Sequence, residues 1–157
     1  MQDLAIWYEG TALAGALRGS GHLYMVVNAA HILGIGLLLG AIIPLDLRLV
    51  GIIRSGPIGI VGPFLSRTAG VGLCIALLTG GSLLSVSASE YLRNDAFRWK
   101  MALLGLGMLT IAAQHGGGRW RRAVETGVPD PRTRFLAALS LMVWLSVLLS
   151  GRWIGFL

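Results

Sequence analysis

Apolar residues gather in four long blocks, at 22–43, 68–88, 100–116 and 135–151, separated by segments that collect most of the charges and prolines. Each block is 17–22 residues long, and a helix rising about 1.5 Å per residue needs about 20 to cross the hydrocarbon. Ahead of them, residues 1–19 mix Leu4, Ile6, Trp7, Leu13 and Leu17 with Asp3, Glu9 and Arg18. That make-up suits a short amphipathic helix lying on a membrane surface. The pattern predicts an all-α, single-domain integral membrane four-helix bundle with an N-terminal amphipathic interfacial helix. No basic segment followed by an apolar core opens the chain, so no cleavable signal peptide is expected.

The first connection, 44–67, carries Pro44, Pro57 and Pro63 with Gly51, Gly56, Gly59 and Gly62, which predict an irregular loop. Its IGIVGPFL stretch is apolar enough to lie among headgroups. Basic residues set the orientation. Arg48, Arg54 and Arg67 stand in the first connection and Arg119, Arg121, Arg122, Arg132 and Arg134 in the third. Arg93, Arg98 and Lys100 in the second are balanced by Glu90 and Asp95. The first and third connections are therefore expected in the cytoplasm. Both termini are expected on the other side, the periplasm of a bacterial inner membrane, with Trp99 and Trp153 at that interface.

Composition agrees with the pattern. Of 157 residues, 55% are hydrophobic and only 13% charged, about half the share of a soluble domain. The net charge of +6 does not point to nucleic acid, because the arginines sit between apolar blocks as topology signals. The lipid bilayer is the expected partner, with subunits of a membrane complex or a periplasmic redox protein as candidate protein partners. The lone Cys74 lies in an apolar run, so an intrachain disulfide and a CxxC metal motif are both excluded.

Ionisable side chains inside the blocks are few, and the bilayer penalises each of them, which makes them functional candidates. His31 is the deepest, about 12 Å inward from the outer end of its helix. Asn28 and Gly34 stand one turn either side of it on the same face. Gly36 and Gly40 form a GxxxG pair that could admit another helix or a flat ligand. A neutral imidazole suits iron, and glycines give a porphyrin room; a structural histidine bonded to a neighbouring helix is the competing reading. His22 projects from the opposite face and is expected at the interface.

In the third block, Lys100 and His115 are fifteen residues apart, about 22 Å along the axis and about 60° in azimuth. Lys100 either snorkels to water or joins Arg98 in holding an anionic group such as haem propionates. His115 is a candidate second metal ligand beside His31, although the two lie at different depths. Asp46 and Arg48 are expected to form a local salt bridge. No Ser-His-Asp set, catalytic carboxylate pair, phosphate loop or HExxH motif occurs.

The stretches HILGIGLLLGAIIPLDLRLVG, FRWKMALLGLGMLTIAAQH and LSGRWIGF resemble the CopD-like group of four-helix bacterial membrane proteins. That group takes in copper-resistance membrane proteins and HemJ-type protoporphyrinogen oxidases, and the likeness covers most of residues 20–157. It implies that His31 and Lys100 match the group's polar helix positions and that haem b is the cofactor; His115 matches less closely. The chain departs from the HemJ-type enzymes in its N-terminal helix and first connection, and its five methionines are scattered rather than clustered. The expected function is haem b-binding and electron transfer, without catalysis of its own. The alternatives are an anchoring membrane subunit that holds lipid or pigment, and copper uptake.

Overall fold

The computed structural model describes residues 2–153; positions 154–156 of the LSGRWIGF stretch lie outside them. Eight helices and no strand occur among the described residues. Four of them, α3 (Gly21–Val50), α4 (Ile58–Leu84), α6 (Asp95–His115) and α8 (Pro131–Trp153), are long and apolar enough to cross a membrane. The all-α fold is as expected, and the chain is a multi-pass membrane protein.

The N-terminal segment forms two helices, α1 (Gln2–Glu9) and α2 (Ala12–Gly19), rather than one. The chain breaks at Gly10, and Thr11 restarts it as the N-cap of α2, accepting the Ala14 N–H at 3.4 Å. Leu4, Ile6 and Trp7 are exposed, as a surface helix requires, but Ala14 and Leu17 are buried. The hairpin is also tied to the bundle. Tyr8 Oη donates to the Gly81 carbonyl at 2.9 Å, and Arg18 donates to the Val86 carbonyl at 3.2 Å.

The Glu9 carboxylate accepts the Ser89 N–H at 2.6 Å, in the first turn of the short helix α5 (Ala88–Arg93). This bond holds the Glu9 carboxyl below its ordinary range, with Arg18 adding a smaller effect. A depressed folded-state value stabilises fully above the unfolded carboxyl range, near about pH 4.3, and that stabilisation is lost as pH falls through the folded value. The hairpin is therefore expected to stay docked at neutral pH and to loosen only in acid. Amide exchange protection of residues 2–19 and 89, corrected for intrinsic rates, should fall in acid for wild type. Glu9→Gln should lower the protection already at neutral pH; an unchanged neutral value removes Glu9 from the latch.

The membrane helices are longer than the apolar blocks. Ser20 caps α3 through the Leu23 N–H at 3.3 Å, and α3 runs through Pro44 to Gly51, whose φ of 99° ends it. Pro57 is the N-cap of α4, which continues through Pro63. The irregular 24-residue connection expected from the prolines shrinks to residues 51–57. Proline is tolerated within membrane helices because neighbouring turns and helices take up the freed backbone groups. Asn94 caps α6 through the Phe97 N–H at 3.2 Å. The third connection contains α7 (Arg119–Thr126). Asp130 starts α8 by accepting the Thr133 N–H at 2.6 Å, with Pro131 at the first helical position.

The four membrane helices form two pairs. α3 packs closely on α4, α6 packs on α8, and α3 joins the pairs by contacting α8. The α3–α4 crossing is made at Gly34 and Gly72, where a Cβ on Gly34 would lie 2.7 Å from the Ala76 nitrogen. Below it, Leu38, Ala41, Ile42, Ala69 and Trp144 form the main core. A second cluster of Leu45, Leu49, Ile58 and Ala137 lies toward the arginine-rich end, covered by Trp120. The helices α4 and α6 barely touch, apart from the arginine-rich end, where Ser66 and His115 are 3.0 Å apart. That leaves a cleft between the pairs at the other end.

A cleft at His31 as the candidate functional site

The cleft has a volume of about 760 Å³, within the range of small-molecule and cofactor sites. Its floor is Leu38 and Trp144, and aliphatic residues such as Leu39, Leu73 and Leu104 wall it. Gly107 lets the Trp144 ring lie flat on α6; a Cβ there would stand 3.0 Å from ring carbon Cζ2. The mouth is polar, with Tyr24, Asn28, Tyr91, Lys100 and Arg152. Burial raises the Tyr91 phenol above its ordinary range, and Tyr24 and Glu90 add to this, so Tyr91 stands at the mouth as a neutral donor.

His31 is half-buried in this wall. Its Nδ1 lies 3.1 Å from Thr79 Oγ1, while the Thr79 hydroxyl proton is already given to the Ile75 carbonyl at 2.6 Å. With that proton used, Thr79 can only accept from the imidazole, so Nδ1 carries the hydrogen and Nε2 the lone pair. Gly80 makes room for the ring; a Cβ at that position would come within 2.9 Å of His31 Cε1.

The other expected site residues divide. Lys100 lines the cleft, its ammonium beside Gly151. Asn28 stands at the mouth. Gly34 does not face the cleft as a ligand neighbour. It is buried in the α3–α4 crossing, where it permits backbone contact with Gly72 and Ala76. Arg98 lies outside the cleft, exposed, and donates to Asp95 at 3.2 Å. Because α6 turns about 200° between Arg98 and Lys100, the two cannot grip one anion from the same wall.

His115 does not share the site. Its Nδ1 donates to the Ile111 carbonyl at 3.0 Å, so Nε2 accepts from the Ser66 hydroxyl at 3.0 Å. The ring also packs on Trp120, with centroids 4.8 Å apart. Thr79 and Ser66, the partners of the two histidines on α4, are thirteen residues apart, about 20 Å along the axis. One metal cannot take both imidazoles. His22 is exposed near the start of α3.

The expected Asp46–Arg48 salt bridge is also absent. Arg48 Nε donates to the Gly56 carbonyl at 3.1 Å, whereas Asp46 is only 2% exposed, with Ser140 of α8 beside it. Two residues along a helix are about 200° apart, so inward burial of Asp46 sends Arg48 outward. Tyr91, Trp144 and Arg152 line the cleft, and Thr79 orients His31 in its wall, without having been singled out from the sequence. A hydroxyl or an aromatic ring within an apolar block gives no signal until the helices are docked.

No curated protein and no solved structure matches the chain. A family model matches residues 5–157, from within α1 through all four long apolar helices. The chain belongs to DUF6644, a family of unknown function.

Proposed function

We propose that the protein binds haem b in the cleft and serves electron transfer at the His31 end of the bundle. One observation carries this reading: the relay from His31 to Thr79 to the Ile75 carbonyl directs an imidazole lone pair from the wall of a cofactor-sized cleft. Metal-bound histidines characteristically donate their other ring N–H in this way, which fixes the tautomer and strengthens the ligand. The residues present fit the group. The apolar walls suit a porphyrin face, and Lys100 and Arg152 at the mouth suit its propionates. Haem bound there supplies one-electron redox chemistry. His31 would hold the iron, Lys100 would fix the acidic edge, and Leu38 and Trp144 would keep water from the floor. His115 is engaged at the other end of the bundle, so His31 is the histidine of this cleft that would hold the iron.

The gap between α4 and α6 supports entry of the cofactor from the bilayer. The distribution of arginines supports a bacterial inner membrane, with the cleft toward the periplasm and a periplasmic redox protein as partner. Absorption spectra of detergent-purified protein, oxidised and dithionite-reduced, test the assignment; a colourless preparation from haem-replete cells at normal yield rejects it. Thr79→Val should keep the fold and weaken haem binding about 10–100-fold, as loss of an outer-shell partner does elsewhere. Unchanged affinity on titrating haem into the variant would remove the relay from the site.

A second reading, an anchoring subunit of a larger complex, draws on Gly36 and Gly40, which face open space on α3, where a foreign helix could approach. It requires His31→Ala to weaken assembly with a stable partner and not an absorbance. Copper uptake draws only on the group resemblance.

A further inference from the structure

Six buried polar residues occur among the described residues, and five of them, Asp46, Thr110, Gln114, Thr133 and Ser140, lie in the half of the bundle between the cleft floor and the arginine-rich end. On α8, Thr133, Ser140 and Trp144 share one face, since successive steps of seven and four residues turn the helix by about −20° and 40°. Thr110 and Gln114 are one turn apart on α6, the helix packed against α8. Asp46 follows His31 by fifteen residues on α3, about 22 Å down the axis and within about 60° in azimuth. A polar file thus runs through an otherwise apolar interior, from Trp144 in the floor toward the arginines.

Two atoms of this file have no protein partner, Asp46 Oδ2 and Trp144 Nε1. Both side chains are at least 98% buried, since Asp46 is 2% and Trp144 1% exposed. An unpaired buried polar atom is destabilising, and an unpaired buried charge far more so. Among the described residues no cation is paired with Asp46. The adjoining turns of α3 pack on Ile58 of α4, Ala137 of α8 and Trp120 of α7. Arg48 is turned to Gly56, and Arg119 and Arg122 of α7 act on Asp130. Arg98 is paired with Asp95 and Arg121 with Glu125.

We propose that Asp46 is a proton-exchanging site, a carboxylic acid that exchanges its proton with the arginine-rich end of the bundle. The orphan oxygen is the atom that carries the proton. The site lies on the opposite side of the cleft floor from the mouth. It stands whether or not the cleft holds haem.

Infrared spectroscopy of the protein in lipid nanodiscs at neutral pH tests this. A protonated-carboxyl C=O band is expected in wild type, lost in Asp46→Asn, and shifted promptly on transfer to D2O. Asp46→Glu should retain the band at an altered frequency, which secures the assignment if the Asn variant does not fold. Ser140→Ala and Trp144→Phe should leave the band in place, and Ser140→Ala should slow its exchange. Absence of the band from wild type, a band unmoved after hours in D2O, or a band that survives in Asp46→Asn overturns the proposal. Because the band needs no cofactor, a colourless protein with an exchanging Asp46 rejects the haem assignment alone, and a red protein with a sealed Asp46 rejects the proton site alone.

Discussion

His31→Ala protein is expected to fold, insert and purify at near-normal yield, and to carry no haem spectrum. The side chain's polar contacts to the bundle are with Thr79 and the Ala76 backbone, and one such bond is worth about 1 kcal/mol net. Its loss leaves the α3–α4 crossing and both core clusters intact, because none of their members is His31. The loss to the cofactor is of another order. Removing an outer-shell partner already costs about 10–100-fold in affinity, and removing the ligand itself should cost more. His115→Ala is the matched control. It breaks contacts to Ser66 and Trp120, about 20 Å away along α4, and should leave the spectrum unchanged while loosening the arginine-rich end. Equal colour in wild type and His31→Ala would end the assignment, and loss of colour in both would point to general misfolding.

The largest structural effect is expected at Gly72. A Cβ there would lie 2.8 Å from the Gly34 carbonyl oxygen and 2.9 Å from the Leu37 carbonyl carbon, and closer still to the Leu38 nitrogen. These are backbone atoms of a packed helix and cannot rotate away. In a helix interior, Gly→Ala alone gains about 1 kcal/mol from propensity. Overpacking of this kind typically costs about 1–3 kcal/mol and occasionally more, so Gly72→Ala should destabilise and Gly72→Val should prevent normal pairing of α3 with α4. Gly36→Ala, with nothing within 4 Å of its added carbon, should be neutral or slightly stabilising. Thermal unfolding followed by size-exclusion of the detergent-solubilised variants compares them directly. Similar midpoints for Gly72→Ala and Gly36→Ala would show that the crossing tolerates separation.

That contrast also marks the limit of what a linear pattern reveals. Gly36 and Gly40 have the familiar four-residue spacing, yet they face open space, and the contact is made by Gly34 with Gly72, thirty-eight residues away in the chain. Which glycine touches a partner depends on the rotation of two helices about their axes, and their all-round apolar surfaces do not specify it. The same holds for Asp46 and Arg48. Their adjacency suggested a pair, but the helix separates them and the bundle buries only one.

By itself the sequence determined the helical class, the number of long apolar helices and the exceptional position of His31. Those follow from local quantities, the length of apolar runs and the cost of a polar group in hydrocarbon. Docking of the helices decided the rest. It separated His115 from His31, turned Arg98 away, opened the cleft between α4 and α6, and chose Thr79 as the partner that sets the imidazole tautomer. Distances between helices depend on which small residues interlock at the crossings, and that is settled only when all four surfaces meet.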